Sequence, residues 1–447
     1  MTQHTQQTVH FTAISGKKVA VDFDGGEVTS DAGLLFVREV DRRAGIIRRV
    51  AAALQDHRHP SYVQHSLESL VRQRVFQILA GYEDGNDCTD LRHDPVLKMV
   101  CHKHPLSAAP LASQPTMSRF ENTPSPRALY RLGQALVEVF IASYETPPTA
   151  LILDIDDTAD ATHGAQQLTC FNAFHDSYCY LPIHVYEGQS GKLIMSLLRP
   201  GRRPTGPEIV ALLKRLVHRL RAAWPHVGIM LRGDAHYSAP EVHDWCEAHD
   251  VHFVVGQGGN AALYAQAAAL MTQAADLYAR QAHPVTLFSE FRYQAKSWTQ
   301  PRRMIVKAEY NHHGANTRFL VTSFQHSTPR FLYQTIYCGR GAMELYIKAH
   351  KTHLASDRTS CHSFAANQFR LFLHSLAYVL LHTLRQRHLA GTDLARAQFD
   401  TIRLKLLKIG GRVRELVTKV KIHLPSSYPR QPEFMTIWRS CCAAGSP

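Results

Sequence analysis

The chain is 447 residues long, with 45% hydrophobic residues and a formal net charge of +13. That length and apolar content exclude an intrinsically disordered chain and allow two or three domains with well-buried cores. A pI near 9.4 favours a polyanionic partner over an acidic one, because net charge governs association and not fold.

Nine cysteines are spaced irregularly, with no Cys-x2-Cys pair, so neither a disulfide framework nor a structural zinc site is expected. The opening residues are polar and lack a signal-peptide core. The longest apolar stretch, Leu371 to Leu381, is interrupted by His374 and Ser375 and is too short to span a bilayer. A cytoplasmic protein without membrane association is expected.

In chain order, Lys18 to Asp24 reads as a short β segment, turned by Gly25-Gly26. Thr29-Ser30-Asp31 caps a predicted helix from Ala32 to Ala44, and a second helix runs from His65 to Ala80. The segment Ser113 to Asn122 has a small polar cap followed by a Ser/Thr-Arg face that includes Arg119. It reads either as the start of a DNA-recognition helix or as an ordinary capped helix. Residues 1–145 thus form a mainly helical region, expected to bind DNA.

The pattern changes at Thr149. Ala150 to Ile155 is a buried-strand run ending among Asp154, Asp156 and Asp157. Tyr178 to Tyr186 and Lys192 to Leu198 are β-rich, joined by the turn Gly188-Gln189-Ser190-Gly191. A helix over Pro207 to Trp224, a strand over Val227 to Leu231 leading to Asp234, a helix over Glu241 to His249 and a strand over Val251 to Val255 follow. Three strands, then helix, strand, helix, strand is the order of an RNase H-like α/β core, predicted over 146–256. Residues 257–332 interrupt it as a β-rich insertion: a helix over Ala261 to Gln281, then β segments over Phe291 to Trp298, Arg303 to Tyr310 and Arg318 to Phe324. The core resumes over 333–390, where a long amphipathic helix is predicted from Ala365 to Arg387. Residues 391–447 are a basic C-terminal region whose Arg403, Lys405, Lys408, Arg412, Arg414, Lys419 and Lys421 form either a phosphate-binding surface or a solvated edge.

Within the resumed core, Tyr337, Arg340, Glu344 and Lys351 are spaced by three, four and seven residues. On a regular α-helix turning about 100° per residue, they would share an arc of roughly 60°. A stripe at that spacing is normally apolar; a charged one implies a surface facing something charged. Asp156, Asp234 and Glu344 supply hard oxygen donors at two strand ends and on a later helix, the chemistry that divalent metal ions need in phosphodiester cleavage.

These residues carry a resemblance. Leu153-Asp154-Ile155-Asp156-Asp157-Thr158 with His163-Gly164 and Gln167, then Tyr178-Cys179-Tyr180-Leu181-Pro182, Leu198-Arg199-Pro200, Arg232-Gly233-Asp234 and the Tyr-x2-Arg-x3-Glu-x6-Lys set resemble the blocks of insertion-sequence DDE transposases of group 1. Asp22 to Gly26, Ser30 to Gly33, Gly81 to Asp84 and Leu91 to Pro95 resemble one branch of that family. The resemblance implies cut-and-paste transposition through a DNA hairpin. The enzyme would bind terminal inverted repeats and target DNA, as a homodimer on DNA, in a bacterial cytoplasm at the nucleoid. It implies two Mg2+ ions, with Mn2+ able to substitute, on Asp156, Asp234 and Glu344, and DNA contacts from Tyr337, Arg340 and Lys351. The Asp-x-Thr form of the first block selects Asp156, while participation of Asp154 or Asp157 stays open. Trp298, in the insertion, is either a base-stacking aromatic or a core tryptophan. A nuclease without strand transfer, or a DNA-binding derivative without chemistry, are the alternative readings.

Overall fold

The computed structural model describes residues 8–442. The chain divides into two compact units, one formed by residues 1–47, 56–120 and 380–447 and the other by 48–55 and 121–379. Among the described residues, no helix is long and apolar enough to cross a membrane.

The first unit is built on helices Leu34–Ala44, Leu67–Ala80 and Pro95–Val100, with an antiparallel hairpin, Val9–Ile14 and Lys17–Val21, at its start. Ser66 caps the second helix, accepting from Ser69 N, and Gly81 closes it in the left-handed region that lets glycine end a helix. The Ser30–Gly33 block is a docking point for the C-terminal segment. Ala32 N and Gly33 N donate to the Ile409 and Leu407 carbonyls, and Lys408 Nζ lies 2.8 Å from Asp31. Lys408 and Arg403, which donates to Leu79 O, therefore serve internal contacts. Arg412, Arg414, Lys419 and Lys421 stay exposed around a hairpin formed by Gly411–Glu415 and Val420–His423.

The second unit is organised by one mixed eight-stranded sheet. Its strands are β1 (Ala150–Asp157), β5 (Ile183–Glu187), β6 (Leu193–Leu197), β7 (Gly228–Gly233), β8 (Val251–Gln257), β9 (Val285–Tyr293), β10 (Arg302–Asn311) and β11 (Gly314–Thr322). Their order is β9-β10-β11-β8-β7-β1-β5-β6. β1, β7 and β8 run parallel, and every other neighbouring pair is antiparallel. Between β1 and β5 the chain forms a separate three-stranded sheet from β2 (Asp160–Ala161), β3 (Cys170–Asn172) and β4 (Ser177–Tyr180), in the order β2-β4-β3.

Parallel strands need covered faces, and their apolar runs show which residues do the covering. Leu151, Leu153, Ile155, Ile229, Leu231, Phe253 and Val255 pack on one face against Ile209, Leu213, Leu216 and Leu220 of helix α1 (Gly206–Ala223). Helices α2 (Pro240–Ala248) and α3 (Ala261–Gln281) add Val242, Cys246, Leu263 and Ala267 to the same cluster. On the other face Val254, Ile305 and Leu320 meet Leu332 and Tyr333.

Two sequence expectations are displaced. The strand expected over Phe291 to Trp298 lies at Val285–Tyr293 and leaves Trp298 in the following loop. The alternation of Phe291, Tyr293 and Ala295 runs past the last ladder pair, Tyr293 with Arg302. The helix bearing Tyr337 to Lys351 is not regular either. Leu332–Tyr337 is a π turn, Cys338–Gly341 is 3-10, Ala342–Lys348 is α, and Ala349–His353 is again π. Changes of winding void the constant step of about 100° that put four side chains on one stripe.

Candidate active site

β1 and β7 are parallel neighbours whose ends bring Asp156 and Asp234 to one edge of the sheet. Asp154 and Arg232 are register partners two residues earlier. Arg232 makes a bidentate contact with Asp154, Nε to Oδ1 and Nη2 to Oδ2 both at 2.6 Å, with both side chains buried. Its remaining nitrogen, Nη1, donates to Ile336 O at 2.7 Å. One guanidinium thus ties β1, β7 and the helix that carries Tyr337. Two glycines make room for it: a Cβ on Gly188 would lie 2.5 Å from Nη2, and one on Gly339 would lie 2.8 Å from Nη1. Both Asp154 oxygens are engaged in this pair, which distinguishes it from Asp156.

Asp156 faces Arg340, with Nη1 to Oδ2 at 2.7 Å. Burial, together with the nearby Asp234 and Asp157 charges, pushes its carboxyl up to about 6, against the opposing pull of Arg340. Asp234 caps the turn Ala235–Tyr237, its Oδ1 accepting from His236 N at 2.9 Å. Asp157, on the opposite face of β1, accepts from the Tyr237 hydroxyl at 3.2 Å and lies 3.3 Å from His236 Nδ1. That hydrogen bond raises the His236 pKa.

Tyr337 is held where its hydroxyl reaches β8. A Cβ on Gly256 would come 2.9 Å from that oxygen and 3.0 Å from Ala235 N, so only glycine allows the approach. The Arg340 guanidinium lies 5.9 Å from the Tyr337 ring centroid. Lys351 Nζ donates to Ala159 O and to Thr158 Oγ1, and stands 3.7 Å from buried Asp160. A cleft of about 570 Å3 opens here, lined by Asp234, Gly256, Tyr264, Arg318, Tyr337 and Arg340 among others.

Six of the eight sequence-predicted site residues are on elements at this edge, though not as a single stripe. Asp156, Asp234, Tyr337 and Arg340 are brought together, and Lys351 grips the chain just beyond β1. Glu344, one turn past Arg340, is exposed. Among the described residues no three His, Cys, Asp or Glu side chains gather closely enough to hold a metal ion. Trp298 is buried, packed edge-on against His243 and Tyr293. Arg119 is exposed on helix Gln114–Asn122. Sequence reasoning passed over Arg232 as a structural tie, Gly256, and the cleft residues Tyr264 and Arg318. The Arg-Gly-Asp and Leu-Asp-Ile-Asp spacings held the first of these: equal two-residue offsets before Asp234 and Asp156.

This edge of the sheet thus opposes two acidic strand ends to a Tyr/Arg helix. The chain belongs to the DDE transposase family: residues 11–442 match the transposase DDE domain, group 1. Among solved structures, the chain is similar to the piggyBac transposase synaptic complex with hairpin DNA, at 13% identity and a TM-score of 0.41, over 85% of this chain and 80% of that one. No curated protein sequence matches.

DDE transposases depend on divalent metal ions. The donors here fit such an ion in kind: Asp156 and Asp234 are hard carboxylates near enough for one charge to raise the other's pKa, a repulsion that a bound cation relieves.

Proposed function

We propose that this protein is a cut-and-paste transposase that binds the terminal inverted repeats of an insertion sequence, cleaves the DNA through a hairpin intermediate, and joins the ends to a target. The observation that carries the reading is the convergence of Asp156, Asp234, Tyr337 and Arg340 at one end of parallel β1 and β7. The strand order β6-β5-β1-β7-β8, with β5 antiparallel to both β1 and β6, supports an RNase H-like core extended by the insertion strands β9 to β11. With it stands the division into a DNA-binding 1–145, a core over 146–256 and 333–390, an insertion over 257–332 and a basic 391–447.

In this reading Asp156 and Asp234, joined by Glu344 once its exposed carboxylate is drawn to this edge, would hold Mg2+ or Mn2+, which would activate the attacking oxygen and stabilise the leaving one. Arg340, now on Asp156, presents a planar fork suited to a DNA phosphate, and Lys351 a point charge. The Tyr337 hydroxyl, at the cleft wall, donates to a phosphate oxygen. Arg119 adds a contact on the flanking duplex. A base contact from Trp298 requires the 294–301 loop to leave His243 and Tyr293, and its surroundings support the core alternative. Two copies on paired DNA ends complete the assembly.

The test incubates the protein, Mg2+ and DNA carrying the flanking inverted repeats. Hairpin ends and joined products are expected. Asp234→Ala should lower product formation at least about a thousandfold while leaving repeat binding measurable by gel shift. Nicking without joining would favour the nuclease reading, and binding unaccompanied by any cleavage would leave only a DNA-binding protein.

A further inference from the structure

The small sheet β2-β4-β3 presents exposed aromatic side chains. Phe171 on β3 and Tyr178 on β4 are register partners, with ring centroids 5.5 Å apart, and they are 53% and 59% exposed. Phe174, in the turn between the strands, is 90% exposed. Alternation along the strands explains the asymmetry. Cys170 and Cys179, paired one position on, face inward toward Gly201, where a Cβ would come within 2.3 Å of Cys179 O and 2.8 Å of Cys170 O. The hairpin is therefore clamped on one face and open on the other.

Its root lies beside the candidate site. Tyr180 is the register partner of buried Asp160, which stands 3.7 Å from Lys351 Nζ. Asn172 Nδ2 donates to Gly201 O at 2.9 Å. From there the chain leads to Arg203, which donates to Ala235 O, next to Asp234. Tyr178 and Ser177 lie two and three residues along β4 from Tyr180, about 7 and 10 Å at strand rise. That reach equals two or three nucleotides of a DNA strand at about 3.4 Å each.

We propose that Phe171, Phe174 and Tyr178 form a stacking surface for unpaired bases of the DNA strand just beyond the candidate site. The proposal rests on the DNA-processing reading above. Three features select bases over a second copy of the chain. The exposed groups are separate aromatic faces and not a continuous aliphatic patch; they are interleaved with Asn172, His175 and Ser177. Exposed His163 lies in the loop between β2 and β3 and exposed Arg203 two residues past Gly201, with exposed Asp176 in the β3–β4 turn. The net charge of +13 adds the electrostatic attraction that stacking platforms use.

The test compares full-length protein on two probes: a blunt duplex of mixed sequence, and the same duplex with a short unpaired tail carrying 2-aminopurine. Wild type is expected to bind the tailed probe more tightly and to change the 2-aminopurine fluorescence. Phe174→Ala, and Phe171→Ala with Tyr178→Ala, should weaken tailed binding about tenfold and abolish the fluorescence change. Blunt binding should stay within about twofold, since phosphate contacts carry it. Phe174→Trp should retain the tailed preference. Equal affinity for both probes, unchanged in the variants, overturns the stacking proposal while leaving DNA binding intact. So does loss of self-association in the variants with DNA binding unaltered, which would make the occupant a second copy. A wild type that binds neither probe overturns the DNA reading itself.

Discussion

Arg232 uses all three nitrogens of its guanidinium, making two bonds to Asp154 and one to Ile336 O. A buried pair of this kind costs desolvation, and its removal leaves an uncompensated charge. Arg232→Lys keeps the charge but cannot make the fork and the third bond together. Arg232→Met, which leaves the Asp154 carboxylate buried without its partner, should destabilise the protein by about 3–5 kcal/mol, seen as a lower urea midpoint with unchanged slope. Replacing both partners, Asp154→Leu with Arg232→Met, should recover most of that stability, because no lone charge remains buried. Cleavage of repeat DNA should stay impaired in the double variant, since the bond to Ile336 O that anchors the Tyr337 helix is still missing. A double variant with full cleavage would show that the pair serves folding alone.

At the scale of elements, close backbone approaches decide what is tolerated. Gly33 opens the helix that follows it, and a Cβ there would lie 1.8 Å from Leu406 O, a backbone atom that cannot rotate away. Gly33→Ala should therefore cost at least about 2 kcal/mol, measurable as a fall in the urea midpoint, although the residue's φ of −70° is ordinary. Gly85, with nothing near its Cβ position, is the control: Gly85→Ala should stay within about 0.5 kcal/mol. Composition and periodicity show none of this. Only the packing of segment 403–409 against Gly33 separates the two glycines. The long helices, in contrast, were legible. Ala261–Gln281 and Phe364–His388 lie within a residue of the limits read from apolar spacing, because helix-forming patterns are local.

For the whole molecule, buried histidines set an acid limit. Burial pushes His184 down to about 3 and His243 to about 4, and drives His350 well below its usual range. His184 and His350 also share a ring contact at 5.0 Å. The unfolded chain takes up a proton at each near pH 6.5, whereas the folded chain does not. Their stabilisation is thus complete above about pH 6.5 and is lost as pH falls toward the folded values, by up to about 1.4 kcal/mol per pH unit for each histidine. Asp160 works in the opposite sense. Burial pushes it up to about 8, so its contribution is present below about pH 4 and lost as pH rises through 8. The melting temperature should fall between pH 7 and pH 5, and His184→Gln should flatten that fall. A melting temperature level across this range in wild type would show that the histidines do not control it.

By itself the sequence determined the strand and helix order, the acidic strand ends at Asp156 and Asp234, and membership of a DDE family, since each depends on local periodicity or on motifs readable along the chain. It also supplied the Tyr337, Arg340, Glu344 and Lys351 spacing. Only the tertiary structure decided what that spacing does. Changes of winding between Leu332 and His353 send Tyr337 to Gly256, Arg340 to Asp156 and Lys351 to Ala159, and leave Glu344 in solvent. Helical winding answers to packing against a sheet whose strands come from distant parts of the chain, and that information is not local. The Asp154–Arg232 tie has the same origin: two residues 78 apart in sequence become neighbours only through the parallel register of β1 and β7.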